Sequence, residues 1–171
     1  MSAIEVIPFD ERYAAAVRDL FVRVNRLLAP PGMRDAFEAC IERSLREEMG
    51  RIDAYYRERQ GGFWIARRGG AVAGMFGLER SAADAMELRR MYVDPASRRL
   101  GIARAMLRHA EAECRLIGAK RLELSTSELQ PEALALYRGA GYALVREAVA
   151  DQASNKTIGG GIRRYYFEKA I

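Results

Sequence analysis

Cysteine is scarce: Cys40 and Cys114 are the only two in 171 residues. Two isolated cysteines build neither a disulfide framework nor a zinc site. They are expected to be reduced and packed in helices, as suits the cytosol. Histidine is scarcer still, with His109 alone, and no grouping of His, Cys and carboxylates has metal-ligand spacing, so no metal is expected. His109 sits mid-helix and is given no catalytic role. No apolar run approaches the ~20 residues of a membrane span, so no membrane partner is expected. Residues 1–6 lack a basic segment and a long apolar core, which predicts no signal peptide and a cytoplasmic location. Repeats and low-complexity tracts are absent.

Lysine is also rare. Lys120, Lys156 and Lys169 are the only three among 28 basic residues, set against 23 acidic ones. The net charge of +5 is therefore carried almost entirely by arginine, which favours bidentate contact with phosphate and carboxylate. A surplus of this size suits a polyanionic ligand and also fits weak nucleic-acid binding. The aromatic RNP and helix-turn-helix patterns are missing, however, which argues against nucleic acid as the partner. Half the residues are hydrophobic, enough for a folded core, and the length suits a single domain over 1–171.

Two common phosphate motifs are absent as well. There is no Gly-x-x-x-x-Gly-Lys-Ser/Thr, and no glycine-rich turn early in a βαβ unit. The segment 86–107 offers a different solution. Residues 87–93 read as a strand that stops before Pro95, which cannot donate to a sheet ladder. Ile102, Met106 and Ala110 then recur at helical spacing. Between strand and helix, Arg98-Arg99-Leu100-Gly101-Ile102-Ala103 brings positive charge and free backbone amides to a helix N-terminus, an arrangement that binds anions.

The rest of the chain alternates. A first strand covers 4–8. Tyr13, Val17, Leu20, Val24 and Leu27 predict a helix that Pro30-Pro31-Gly32 ends. Met33, Phe37, Ile41, Leu45, Met49, Ile52 and Tyr56 predict one long second helix. Its other face carries Glu42, Arg43, Glu47, Arg51 and Arg57. Strands 63–67 and 71–78 flank Arg68-Gly69-Gly70, a hairpin signal. Strand 121–127, helix 131–139, strand 142–148 and strand 164–169 complete the pattern. The loop 151–161 holds Gly159-Gly160-Gly161, which leaves it either mobile or open to close approach by a ligand.

Arg98-x-x-Gly101-x-Ala103 resembles the acyl-CoA pyrophosphate loop of the GNAT superfamily of N-acetyltransferases. Residues 87–93 with their Val-Asp-Pro exit look like that family's fourth strand, and 121–127 like its fifth. Ala133-x-x-x-Tyr137-x-x-x-Gly141-Tyr142 is similar to its closing helix and strand. The block spans about 62–145 in matching order and spacing. The resemblance implies an α+β fold, a central and mostly antiparallel twisted sheet flanked by helices, with splayed fourth and fifth strands. It also implies acetyl-CoA as co-substrate, an amine acceptor and no metal, and it allows a homodimer.

Acetyl transfer from a thioester to an amine needs an oxyanion donor, a neutral amine and a proton for the departing thiolate. The resemblance implies a group for each. Backbone amides of Met91, Tyr92 and Val93 would serve as oxyanion donors beside a bulge. Arg98, Arg99, Leu100, Gly101, Ile102, Ala103 and Arg104 would hold the pyrophosphate. Glu87, four residues ahead of Met91, could take the amine's proton directly or through water; the plainer reading is a strand glutamate paired with Arg89 or Arg121. Tyr137 matches the family tyrosine that protonates the thiolate; its ordinary pKa of about 10 lies near the thiol's 8.5 or so. The plainer reading is a helix tyrosine packed on the sheet. The asparagine many relatives carry after the fifth strand is missing, and Thr126, Ser127 or Gln130 could replace it. Tyr55, Tyr56 and Arg59 could reach the acceptor side. The resulting expectation is an N-acetyltransferase for a small or amino-acid-like primary amine, by direct attack in a ternary complex. A protein or peptide acetyltransferase and a non-catalytic acyl-CoA-binding regulatory module remain alternatives.

Overall fold

In the computed structural model, residues 2–171 are described; Met1, the first residue of the expected single domain, lies outside them. Seven strands form one sheet: β1 (Ile4–Pro8), β2 (Gly62–Arg68), β3 (Ala71–Ala82), β4 (Ala85–Val93), β5 (Arg121–Ser127), β6 (Ala143–Ala150) and β7 (Ile162–Ala170). Their order across the sheet is β1-β2-β3-β4-β5-β7-β6. Every neighbouring pair is antiparallel except β4 and β5. The mostly antiparallel α+β sheet expected from the sequence is therefore present.

Period-2 alternation sends the two sheet faces into two cores. Phe63, Ile65 and Met75 face α1 (Ala14–Leu28), α2 (Arg34–Ser44) and α3 (Ile52–Glu58), where Val17, Leu20, Phe21, Ile41 and Tyr56 are buried. Ala66, Phe76, Leu88 and Leu122 face α4 (Ile102–Leu116) and α5 (Pro131–Gly139). Ile102, Met106, Ala110 and Cys114 make the buried stripe of α4, as the spacing predicted. The β2–β3 turn uses Gly69 and Gly70 at φ +59° and +82°, the two positive angles that a two-residue hairpin of the strand's own twist requires.

The single long second helix is not observed. α2 ends at Ser44, residues Leu45–Met49 form a wider π turn, and α3 restarts at Ile52. The Gly50 amide reaches back five residues to the Leu45 carbonyl at 2.8 Å. The apolar stripe survives, because Met49, Ile52 and Tyr56 stay buried. Glu48, within this turn, is fully buried, and single wide turns of this kind are frequent at functional sites.

Two irregularities in β4 position everything that follows. Its pairing with β5 runs only from Ala85↔Arg121 to Leu88↔Leu124, after which the strands part. Against β3, Met75 pairs with Tyr92 and Gly77 with Arg89, so Phe76 faces both Arg90 and Met91. This is a β-bulge, with Arg90 at φ +55°. At the far edge, β6 leaves Leu144, Val145 and Val149 exposed.

Candidate active site

The gap between β4 and β5 opens into two adjoining cavities. The larger, of about 580 Å³, is lined by Met91, Tyr92, Val93, Arg98, Arg99, Gly101, Ile102, Ala103, Arg104 and Tyr137, among others. The smaller, of about 120 Å³, is lined by Glu87, Arg89, Arg90, Thr126, Asn155, Lys156 and Arg164, among others. Met91, Tyr92, Gln130, Ala133 and Tyr137 belong to both walls. Of the residues singled out from the sequence, Leu100, exposed at the turn, and Tyr55, Tyr56 and Arg59 lie off both linings.

The larger cavity ends at the start of α4. Gly101 caps that helix at φ +80°, an angle costly for any residue with a Cβ. A Cβ there would meet no atom within 4 Å, so the approach to the first α4 amides is open. Those amides lack intrahelical partners, and exposed Arg98, Arg99 and Arg104 surround them. Asp94 caps the preceding turn, accepting from the Ala96 amide at 3.0 Å, and is held by Arg23 at 3.2 Å. An extended polyphosphate fits this combination of charge, free N–H groups and open backbone.

Tyr137 stands where the two cavities meet. It is 5% exposed. Burial, helped by nearby Tyr92, pushes its hydroxyl well above the ordinary value of 10. The near match to a thiol expected from unperturbed values is thus widened. Tyr137 is a phenol that stays protonated through the physiological range.

The smaller cavity rests on a buried ion network that the sequence pattern did not disclose. Glu48 pairs with Arg89 at 3.1 Å and Arg90 at 3.0 Å, and accepts the Tyr56 hydroxyl at 2.6 Å. Burial pushes the Glu48 carboxyl up, but Arg90 and Arg89 outweigh that and hold it below its ordinary range. Glu79 is also held low: burial raises it, and the hydrogen bond from Lys156 together with Arg89 lowers it further. This network ties down the bulge. Arg90 is fixed from below by Glu48 and from above by the Asn155 carbonyl, which Arg89 also reaches.

Glu87 points into the smaller cavity, and its partner is neither Arg89 nor Arg121. It accepts from Lys156 Nζ at 2.9 Å, while the same ammonium pairs with Glu79 at 2.8 Å. Thr126 is buried and its hydroxyl donates to Gln130 Oε1 at 3.3 Å, so two of the three candidates for the missing asparagine touch each other. Tyr55 reaches this side, its hydroxyl bonded by Arg89 and by Asn155 at 3.2 Å. Tyr56 is spent on Glu48, and Arg59 stacks 3.6 Å over the Tyr55 ring. The loop 151–161 closes over the cavity through Asn155, Lys156 and the Ala153 carbonyl, which accepts from Arg43 at 2.8 Å. The resembled fold places this loop beside the acceptor pocket, but the contacts are made by Asn155 and Lys156 rather than by its glycines. Among the described residues no cluster of three or more His, Cys, Asp and Glu could hold a metal. Both cysteines are free, and burial pushes the Cys114 thiol up to about 11. No helix is long and apolar enough to cross a membrane among the described residues.

A mixed sheet whose one parallel pair parts beside a bulged strand, next to a basic helix start, defines the acyl-CoA N-acyltransferase fold class. The chain belongs to the acetyltransferase (GNAT) family, whose family model matches residues 30–142. Rat N-acetyltransferase 8F1 is 31% identical over 122 residues, 68% of this chain and 53% of that protein. The IAA acetyltransferase of Azospirillum brasilense is 37% identical over 82 residues, 47% of this chain and 54% of the relative. The chain spans about half the length of the curated relatives it matches. Among solved structures, the PaiA N-acetyltransferase of Thermoplasma acidophilum in complex with coenzyme A superposes with a TM-score of 0.76 at 16% identity, covering 99% of each chain. At that identity the likeness speaks for the fold alone.

Proposed function

We propose that the protein is an acetyl-CoA-dependent N-acetyltransferase acting on a small or amino-acid-like primary amine, by direct attack in a ternary complex. The observation that carries this reading is the junction of two cavities at Tyr137, Met91 and Tyr92, beside the Arg90 bulge. A thioester in the larger cavity and an amine in the smaller one would meet there. Acetyl-CoA supplies the activated acyl group. Arg98, Arg99, Arg104 and the free amides from Gly101 to Ala103 bind its pyrophosphate, with Leu100 forming the turn.

Beyond the bulge the strand has left β5. Because strand amides alternate and the Asp94 amide is bonded to the Ala73 carbonyl of β3, the amides of Met91 and Val93 face the gap, while that of Tyr92, expected with them, turns to β3. Donors aimed at the thioester oxygen stabilise charge as it develops, in a site with little water. Thr126, tied to Gln130, takes the place of the missing asparagine in holding the cofactor arm. Tyr137 donates its hydrogen to the sulfur as the C–S bond breaks. The burial that makes Tyr137 a weaker acid also raises the proton affinity of a thiolate left beside it, since both ions lose solvent. Glu87 receives the amine's proton, directly or through water, once the incoming amine displaces Lys156 from it.

Isothermal titration with acetyl-CoA and with CoA, on the natural protein and on Gly101→Trp, tests the reading first. Binding that the substitution abolishes, followed by thiol release with an amine panel, is the expected result. Absence of binding by the natural protein refutes it.

A further inference from the structure

We infer that the smaller cavity takes an acceptor bearing a single carboxylate, received by Arg164 and Ser125. This deepens the acetyltransferase reading and rests on it for the bound molecule's role as acceptor. Four cations line the cavity: Arg89, Arg90, Lys156 and Arg164. Three are already neutralised. Arg89 pairs with Glu48 and Glu79, Arg90 with Glu48, and Lys156 with Glu79 and Glu87. Glu79 is shared with Arg59 at 3.7 Å as well, so these carboxylates have no charge to spare, and among the described residues Arg164 is the one lining cation left without a carboxylate.

Arg164 lies on β7 opposite Ser127 of β5. Its Nη2 donates to the Ser125 hydroxyl at 2.9 Å, and among the described residues no carboxylate pairs with it. The preceding residue, Arg163, faces solvent and has Glu147 at 3.3 Å. Burial lowers the proton affinity of Arg164, whereas Arg89 and Arg90 are raised by the carboxylates beside them. A desolvated guanidinium without a counter-charge is unfavourable, and a ligand carboxylate relieves it. The guanidinium fork has five N–H donors, most of them unspent here, and matches a carboxylate edge. Ser125, accepting from Arg164, keeps its own proton to donate to the same anion.

One unpaired guanidinium selects one anionic group. A phosphate ester would bring nearly two charges into a small space, and the chain offers its phosphate-type donors in the other cavity. The same lining also carries Glu87, which already holds one ammonium, that of Lys156. A cavity with a carboxylate for an amine and a guanidinium for a carboxylate is matched by an amino acid or a similar amino carboxylate.

The test uses phenylalanine, methionine and leucine against their α-carboxamides, titrated calorimetrically into the protein with and without CoA. The acids are expected to bind about tenfold tighter or more than the carboxamides, the value of one charge-assisted pair. Arg164→Gln should abolish that preference while leaving CoA affinity unchanged, and Arg164→Lys should restore part of it. Guanidinium NMR of the natural protein provides a readout independent of any variant: the Arg164 Nε–H resonance should move with the acids and not with the carboxamides. Equal binding of acids and carboxamides, or a preference that survives in Arg164→Gln, overturns the inference. Thiol release measured alongside separates the two readings. Arg164-dependent acid binding without thiol release from any amine overturns the acetyltransferase reading and upholds the carboxylate site. Thiol release as efficient with carboxamides as with acids overturns the carboxylate site alone.

Discussion

Replacing Glu48 with glutamine should destabilise the fold and loosen the bulge together. Glu48 is fully buried, and the side chains of Arg89 and Arg90 are only 5% and 10% exposed. Removing one member of a buried ion network leaves uncompensated charge and costs about 3–5 kcal/mol. Glutamine keeps one acceptor, and Arg89 keeps Glu79, so the lower end applies, about 3 kcal/mol. For a chain of this length that lowers Tm by about 6–12 °C. Arg90 sits at φ +55°, a conformation unfavourable by roughly 1–2 kcal/mol for a residue with a Cβ, and Glu48 is what holds it there. The variant should therefore also lose rate in thiol release, through the Met91 and Val93 amides, with CoA affinity at the distant α4 end retained. The pH dependence has a definite sign. Because the folded-state carboxyl is held below its ordinary value, the network stabilises the fold above an unfolded pKa of about 4.3. That contribution shrinks once pH drops below the unfolded value and is gone below the lower folded-state value, so the stability gap between the natural protein and Glu48→Gln should narrow progressively in acid. Thermal unfolding from pH 3 to 8 checks both points. A Tm loss under about 2 °C at pH 7, less than 1 kcal/mol, or a difference that does not shrink in acid, would refute the reasoning.

Tyr137→Phe should slow thiol release by about 100-fold or more, the usual range for a lost proton donor, and full retention of rate would show that another group protonates the thiolate. Because burial raises the Tyr137 hydroxyl, no fall in rate assignable to its ionisation is expected below pH 10, which a pH–rate profile checks. Gly101→Trp should weaken CoA binding by more than tenfold, by blocking the α4 amides and forcing a side chain onto a positive φ; unchanged affinity in calorimetry would place the pyrophosphate elsewhere. Lys156→Ala removes the bridge from loop 151–161 to Glu79 and Glu87, so limited proteolysis should cut that loop faster.

Much of the fold was legible because local signals agreed. Pro131 at the first position of α5, Gly69-Gly70 in the β2–β3 turn and the stripe through Ile102 and Met106 each favour one local conformation, and the structure adopts it. The second helix shows where such reading stops. Its apolar spacing continues through Leu45 and Met49, and periodicity alone does not register a π turn. Glu48 in that turn pairs with Arg89 and Arg90, which lie some forty residues away in sequence. The loop that binds Asn155 over those arginines is likewise set by contacts 65 and 66 residues distant.

The sequence by itself determined the element order, the α+β class and the family. Those depend on hydrophobic period, turn residues and motif spacing, all of which act within a few residues. It also marked the anion-binding helix start, where arginine, glycine and free amides are neighbours in the chain. Only the tertiary structure decided that β4 bulges at Arg90 and parts from β5, because strand pairing is a relation between distant segments. Only it revealed that three of the four cations around the smaller cavity are neutralised and that Arg164 is not. Charge balance in a desolvated site is a sum over groups brought together by folding, and no local pattern in the chain contains it.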